Sequence, residues 1–542
     1  MPTGAELIVD LLRERDVDVC FGLPGVHNLA LWEALRDSPI RLVGVRHEQA
    51  AAYAADGYAR ATGRLGVALT TTGPGAANTL GAVGEAWASR SPVLVVATDI
   101  PSGLRRPGTY RGVLHETTDQ AAMFAPVTKS THRAATAELV RVASVVALTE
   151  AIAPPHRPVY LEIATDLLRE ELGVDAVVAA AGPPPTDDGD VDAAVALLAA
   201  AERPLLWVGG GAREARGAVA RLAEQLAAPV LTTYGAAGVL PPAHPCLVGL
   251  PPHVAPAGAL WDEADVVVAI GSDLDGVQTQ NFAMPQPPQL IAINLDAEDA
   301  AKNYRVDCLL EGDAGRLTAT LAERVPPRAG IDGMADRLHE VRAEACAALD
   351  GRALRFLDAM RFALPDDAVV VADMCIPGYW LAGFLTPAAP RRLQIPLGWG
   401  TLGYAFPAAL GAAIAGTGPA VAVTGDGGFL FACGELATMA QEQIPLTVVI
   451  VDDGGYGMLR YDQDVAGAAR YGVDLHTPDF AALAGAFGVR AQTVDGLDDE
   501  FGEALAEHVA DAAPSVLVAR TPEPLVPPPN TSPNWYRRRP RA

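Results

Sequence analysis

The sequence predicts an α/β protein made of three domains of parallel sheet flanked by helices, and three observations carry that prediction. Short runs that are apolar on both faces alternate along the chain with longer helical patterns, as in parallel α/β units covered on both sides. Those runs tend to end in Gly, Asp or Thr, where ligands of open α/β sheets sit. Two Pro- and Gly-rich breaks, at 180 to 190 and 325 to 333, divide the 542 residues into segments of ordinary domain size.

Taken in order, the chain opens on the capping box Thr3-x-x-Glu6, which starts an amphipathic helix in MPTGAELIVDLLRERD. The strands VALTTTG (67 to 73) and PVLVVATD (92 to 99) belong to a first domain, 1 to 180. PLLWVGGG (204 to 211) and DVVVAIGSD (265 to 273) belong to a second, 188 to 325. AVVVAD (368 to 373), AVAVTGDG (420 to 427) and LTVVIVDD (446 to 453) belong to a third, 335 to 530, followed by a basic tail, 531 to 542. The first and third domains are expected to share an architecture, because both carry strand-turn-helix units with Gly-rich turns. Residues 397 to 425 contain no charged side chain, yet eight Gly and Pro residues cut the stretch into a loop, a buried helix and a buried strand rather than a membrane span.

The composition excludes some classes. With 40 Lys+Arg against 65 Asp+Glu, a formal charge of −25 opposes binding to a phosphate backbone. The basic cluster Arg537, Arg538, Arg539 and Arg541 reads as a solvated tail, so no nucleic acid and no membrane are expected as partners. The six Cys show no CxxC pair and no metal-ligand spacing. They read as buried free thiols of a reducing compartment, and with no secretion signal at the N-terminus a cytoplasmic location is expected.

The chemistry concentrates in 421 to 458, VAVTGDGGFLFACGELATMAQEQIPLTVVIVDDGGYGM. One strand ends in Gly425-Asp426-Gly427-Gly428 and the next in Asp452-Asp453-Gly454-Gly455-Tyr456-Gly457-Met458. Glycines let backbone approach an anion, and a helix start points N–H groups at it. Asp426 and Asp453, at the ends of neighbouring strands, offer hard oxygen ligands to Mg²⁺.

This arrangement resembles the signature of the thiamine-diphosphate enzymes, a GDG followed by a helix, a strand and a polar pair that is usually Asn-Asn. The resemblance implies thiamine diphosphate and Mg²⁺ as cofactors, with Asp426, Asp453 and the carbonyl of Gly455 as metal ligands. The chain departs from the pattern in having Asp452-Asp453. A second match, VGVRHEQAAAYAADGYARATGRLGVALTTTGPGAANT (43 to 79), resembles the acetolactate synthase-like branch, in which Glu48 would hydrogen-bond N1′ of the aminopyrimidine and Gly73 and Asn78 would line the cofactor. In LGWGTLGYAFPAALGAAIA (397 to 415), Leu402 falls where an apolar side chain bends the cofactor and Gly400 where a carbonyl accepts from its amino group. The first, second and third domains would then be PYR-type, Rossmann-like and PP-type. Each site would combine Glu48 of one subunit with Asp426 of another, in a homodimer at minimum and a homotetramer by expectation.

Branch-specific residues are expected in FGLPGVHNLALWEAL (21 to 35) and RGVLHETTDQAAMF (111 to 124), where His27, His115 and Gln120 join Glu48 as candidate catalytic groups. FGLPGVH with LHETTDQ is similar to 5-guanidino-2-oxopentanoate decarboxylases, and YGMLRYDQDVAG with GVDLHTPDF to these and to benzoylformate decarboxylases. Asp462 and Asp464 are read as a solvated loop rather than a contact for a cationic substrate tail. VGGGAREARG (208 to 217) resembles a nucleotide-binding turn, but GSDLDGVQ (271 to 278) lacks the Arg of FAD-binding relatives, so a structural central domain is expected rather than an FAD site. The reaction the resemblance implies is decarboxylation of a 2-oxo acid, with carboligation to a 2-hydroxyketone as a possible continuation, as in acetolactate synthases. The alternatives are simple decarboxylation to an aldehyde and, disfavoured by Glu48, Leu402 and Asp426, a non-catalytic scaffold.

Overall fold

A computed structural model describes residues 1–106, 108–173, 190–396 and 398–529, apart from the side chain of Asp332. The basic tail and, but for Asp190, the first Pro-rich break lie outside the described residues. Three parallel sheets follow one another along the chain.

The first sheet has six strands: β1 (Val19–Gly22), β2 (Arg41–Gly44), β3 (Gly66–Thr70), β4 (Val93–Asp99), β5 (Ser130–Ala134) and β6 (Val159–Ala164). They lie in the order β2-β1-β3-β4-β6-β5. The central sheet, with β7 (Pro204–Val208), β8 (Val230–Thr232), β9 (Val266–Ile270), β10 (Gln289–Asn294) and β11 (Cys308–Glu311), is ordered β11-β10-β9-β7-β8. The third holds β12 (Val369–Ala372), β13 (Leu393–Gln394), β14 (Ala420–Gly425), β15 (Leu446–Asp452), β16 (Arg490–Asp495) and β17 (Ser515–Arg520) in the order β13-β12-β14-β15-β17-β16. The first and third sheets therefore repeat one strand order, as the shared Gly-rich turns led us to expect. In each, the order reverses between the strand that comes first in the chain and its inner neighbour, β1 beside β3 and β12 beside β14, and the loops at such a reversal form a crevice.

The central strands read as uninterrupted Val, Ile, Leu and Ala because both faces are covered; β3, β4, β7 and β9 are buried at every position. One apolar core lies between the first and third sheets and a second joins the central sheet to the third. The first of these rests on two small-residue helices, Glu48–Thr62 and Ala405–Ile414, that touch backbone to backbone. A Cβ on Gly57 would stand 1.9 Å from the carbonyl oxygen of Ala408, and one on Gly411 1.8 Å from that of Ala54. No side chain fits at either crossing.

The predicted capping box forms at Gly4–Arg13, with Thr3 and Glu6 capping each other's backbone. The uncharged stretch resolves as loop, buried helix and buried strand, and among the described residues no helix is long and apolar enough to cross a membrane. Three expectations need correction. Asp462 and Asp464 lie on a helix, Gly457–Val465, not a loop. Cys346, Cys375 and Cys433 are only partly buried, unlike Cys20, Cys246 and Cys308; all six thiols are free. The second Pro-rich break ends sooner than its composition indicates, because Gly330, with φ near +116°, starts the helix Ile331–Ala347, which packs on Ala255–Glu263 of the central unit.

Candidate active site

The predicted residues gather into two clusters, each at the strand-order reversal of its sheet. In the first, the loops after β1, β3 and β4 bring His27, Gly73, His115 and Gln120 together. The His27 and His115 rings stand edge to face with centroids 5.2 Å apart, and His27 Nδ1 lies 2.8 Å from Thr72 Oγ1, which in turn lies 2.8 Å from Thr98 Oγ1. Burial, and next the neighbouring His115, lower the pKa of His27, so it is neutral near pH 7 with one N–H and one lone pair. His115 takes a positive φ of 66°, and its buried Nδ1 has no hydrogen-bond partner.

Gly73 also has a positive φ, 65°, and a Cβ there would sit 2.5 Å from the His115 carbonyl oxygen, so the loop can lie this close only over a glycine. Its N–H donates to Gln120 Oε1 at 2.5 Å. Gln120 is buried with its amide turned inward, donating to the Thr98 carbonyl (2.9 Å), Tyr160 Oη (2.7 Å) and Glu162 Oε2 (3.2 Å). This side chain holds the Gly73 turn in place. Glu48, 7% exposed at the start of its helix, accepts a hydrogen bond from Asn78 Nδ2 at 2.9 Å. Asn78 thereby orients the carboxylate.

The second cluster is built by the ends of β12, β14 and β15. Asp426 is fully buried; Oδ1 accepts the Gly427 N–H at 2.7 Å, whereas Oδ2 has no partner. Burial, and then the charge of Asp453, push its pKa up to about 7. Burial raises Asp453 to about 6 against the opposing pull of Arg460, whose guanidinium donates to the Asp453 carbonyl at 2.9 Å and lies 3.5 Å from its carboxylate. Two buried acids whose pKa values are both raised, beside an acceptor with no donor, leave negative charge uncompensated, which a divalent cation would neutralise. The donor set therefore fits Mg²⁺, although among the described residues no group of three carboxylates, imidazoles or thiols assembles; a third ligand must come from backbone such as Gly455.

The motif glycines serve two ends. A Cβ on Gly427 would strike the Tyr456 ring at 2.7 Å, and one on Gly457 the Asp453 carboxylate at 2.3 Å, so these glycines bring the two turns together. A Cβ on Gly400 or Gly454 would make only ordinary contacts, with Met374 at 3.7 Å and Arg460 at 3.9 Å, so these two are set by their positive φ of 78° rather than by crowding. Leu402 is half-buried beside Gly403, and Met458 is half-buried against the core shared with the central unit. Among the described residues no hydrogen bond or ion pair joins the two clusters within one chain.

Sequence reasoning missed Asp373. At the end of β12, its carboxylate accepts from Met374 N (2.9 Å), Gly403 N (3.1 Å) and Thr424 Oγ1 (3.1 Å), linking the 400–403 loop to the GDG turn. Burial raises it to about 6. An Asp closing an apolar run, like Asp426, was the available signal. Glu162, buried within VYLEIA, was equally visible. In the central unit, Gly209 and Gly211 lie on the chain's own Gly271 turn, Gly211 N donating to Gly271 O at 3.0 Å. The 208–211 glycines are therefore engaged by protein. Asp464 is paired with Arg470 at 2.7 Å.

Three profiles of the thiamine pyrophosphate enzymes match the chain: the N-terminal TPP binding domain over 2–123, the central domain over 191–322 and the C-terminal TPP binding domain over 374–519. The chain is 37% identical to a probable 2-ketoarginine decarboxylase of Pseudomonas aeruginosa over 92% of this chain and 90% of that one. It is 30% identical to a probable acetolactate synthase large subunit of Methanocaldococcus jannaschii, over 97% and 93%. Among solved structures it is similar to the thiamine diphosphate-dependent 4-hydroxybenzoylformate decarboxylase of Rhodococcus jostii RHA1, with TM-score 0.80, 25% identity, and 96% and 99% of the two chains covered.

Proposed function

The chain belongs to the thiamine pyrophosphate enzyme family, in its decarboxylase and acetolactate synthase group, and from that premise we propose that it decarboxylates a 2-oxo acid, with thiamine diphosphate and Mg²⁺, to release an aldehyde. The observation that carries this choice of product is the imidazole pair. A carbanion equivalent left by loss of CO₂ is captured either by a proton or by a second carbonyl, and two adjacent imidazoles, one held neutral, favour the proton.

When bound, thiamine diphosphate supplies the carbon nucleophile and the electron sink for decarboxylation. The chain supplies the rest. Asp426, Asp453 and the Gly455 carbonyl hold Mg²⁺, and Gly425 to Gly428 with Gly454 to Met458 receive the diphosphate. Glu48, oriented by Asn78, would serve as the proton donor and acceptor for the aminopyrimidine, with the Gly400 carbonyl available to its amino group and Leu402 to its ring system. His27 and His115 move the proton at the substrate carbon, and Gln120 fixes the Gly73 turn beneath them.

The two clusters meet between subunits of a homodimer at minimum, or of a homotetramer. Val26 and Leu114 beside the imidazoles are 64% and 62% exposed, and Leu459 and Val465 beside Asp453 are 51% and 70% exposed, surfaces that a second copy would cover. The free thiols suit a cytoplasmic location.

5-Guanidino-2-oxopentanoate is the first substrate to try, since the relative 37% identical carries that activity in its name. Protein incubated with thiamine diphosphate, Mg²⁺ and this acid, pyruvate or benzoylformate should release CO₂ and an aldehyde identified by mass spectrometry. A 2-hydroxyketone as main product would replace the proposal with carboligation, and no CO₂ from any acid would leave only a cofactor-binding scaffold.

A further inference from the structure

The loop that carries Gly400 is held from the other end of the molecule. Gly398 and Gly400 flank Trp399, and the loop lies flat on the helix Leu80–Ala88 of the first domain. A Cβ on Gly84 would stand 2.8 Å from the Trp399 ring, and one on Gly398 2.7 Å from Ala88 Cβ. From that helix Glu85, fully buried, directs Oε2 at two successive amides of the loop, Trp399 N at 3.3 Å and Gly400 N at 3.2 Å. Gly400 N also donates to the Pro396 carbonyl at 2.9 Å. Accepting both amides fixes the two peptide planes that precede the Gly400 carbonyl.

A carboxylate buried this deeply must be paired, and Glu85 is. Its Oε1 receives Arg60 Nη2 at 3.2 Å and Ser89 Oγ at 2.9 Å. Arg60 is held in turn: Nε lies 2.9 Å from Asp56 Oδ2, Nη1 donates to the Ile395 carbonyl at 3.0 Å and Nη2 to Ser89 Oγ at 2.6 Å. Its guanidinium stands 5.0 Å from the centroid of the Tyr404 ring, and Tyr404 Oη donates to Asp56 at 3.1 Å. Burial opposes the charge on Arg60, but Asp56 and Glu85 outweigh it and keep the guanidinium protonated. Ile395 and Tyr404 bracket the same loop, so one buried ionic network grips it at both ends and in the middle.

We propose that Glu85, clamped by Arg60, is the positioning residue for the Gly400 carbonyl, and that cofactor affinity depends on it although it touches no cofactor atom. The proposal rests on the reading that Gly400 accepts a hydrogen bond from thiamine diphosphate. A carboxylate accepting backbone N–H groups in a water-excluded interior makes strong, well-aimed bonds, and their loss frees a glycine loop with wide conformational choice.

Two readouts separate this role from general stability. In the cofactor-free chain, amide hydrogen exchange at Trp399 should be at least about tenfold faster in Glu85→Ala than in the unsubstituted protein, with the Lys129 to Ala134 region unchanged. By calorimetry with Mg²⁺ present, the Kd for thiamine diphosphate should rise about tenfold, whereas Glu85→Gln, which keeps an acceptor oxygen, should stay within about threefold. If Glu85→Ala does not fold, Arg60→Gln, which leaves Glu85 unclamped, must move both readouts. Unchanged exchange at Trp399 overturns the proposal, and so does faster exchange with unchanged Kd, since a merely structural carboxylate would lower the melting temperature alone. Failure of the unsubstituted protein to bind thiamine diphosphate is a different result: it overturns the reading of the site, and with it the link from Glu85 to the cofactor.

Discussion

The two clusters solve opposite electrostatic problems. Around β1, β3 and β4 the carboxylates have donors: Glu48 is paired with Asn78, Glu162 with Gln120 and Arg133, and Asp99 with Arg105. Around β14 and β15 two acids face one another with one cationic neighbour, Arg460, and an oxygen of Asp426 has no donor at all. Sheets of one strand order thus carry one cluster whose carboxylates are paired and another in which a carboxylate oxygen is left open. On the proposed reading, the first serves proton transfer and the second charge binding.

The largest test of that division is Asp426→Ala. It should abolish retention of thiamine diphosphate and Mg²⁺ after gel filtration, as should EDTA on the unsubstituted protein; unchanged cofactor affinity would contradict the assignment. Glu48→Gln should do the reverse, leaving cofactor affinity within a few-fold while turnover falls by about 10²–10⁴-fold, the usual worth of a positioned acid–base group. If instead it releases the cofactor, the division between the clusters is wrong.

A smaller effect concerns Asp373, which links the 400–403 loop to the GDG turn. Burial pushes its pKa up to about 6 from the ordinary carboxylate value of 3.8. The stability contributed by its protonated form is therefore fully present below pH 3.8 and lost as pH rises through about 6. Relative to the unsubstituted protein, Asp373→Asn should gain stability on going from pH 5 to pH 7.5, by about 1.4 kcal/mol at 1.36 kcal/mol per pKa unit. Urea midpoints at the two pH values measure this, and a difference independent of pH would show that the charge is not what matters. Last, Asp464→Asn should change kcat/KM for 5-guanidino-2-oxopentanoate by less than about twofold, because exposed ion pairs such as Asp464–Arg470 contribute little. A tenfold loss would place a cationic substrate tail there.

The sequence made the strands legible because buried parallel strands are written in uninterrupted Val, Ile, Leu and Ala, as in VVVAI at β9. Short or mixed strands such as Leu393–Gln394 and Arg490–Asp495 carry no such signal, the first being an edge strand of two residues and the second an edge strand with three of its six residues in solvent. Asp426 and Asp453 were legible because they punctuate apolar runs with glycine. Arg60, Asp56 and Glu85 were not: in AADGYARATG and AVGEAWAS they look like the solvated face of a helix, and only the packing of these two helices against each other and the 395–404 loop takes them out of solvent. Gln120 was visible as a polar group, but its inward direction depends on Tyr160 and Glu162, forty residues further along.

The crossing of Gly57 on Ala408 and of Ala54 on Gly411 also sets a timetable for synthesis. The helix Glu48–Thr62 is buried at twelve of its fifteen positions, and part of its cover is made roughly 350 residues later in the chain. At about 5–20 residues per second a ribosome needs about 20–70 s to supply it. Through that interval a strip of alanine and glycine stays uncovered on the nascent first domain, a client surface for holding chaperones. Expressed alone, that domain would keep the strip bare permanently.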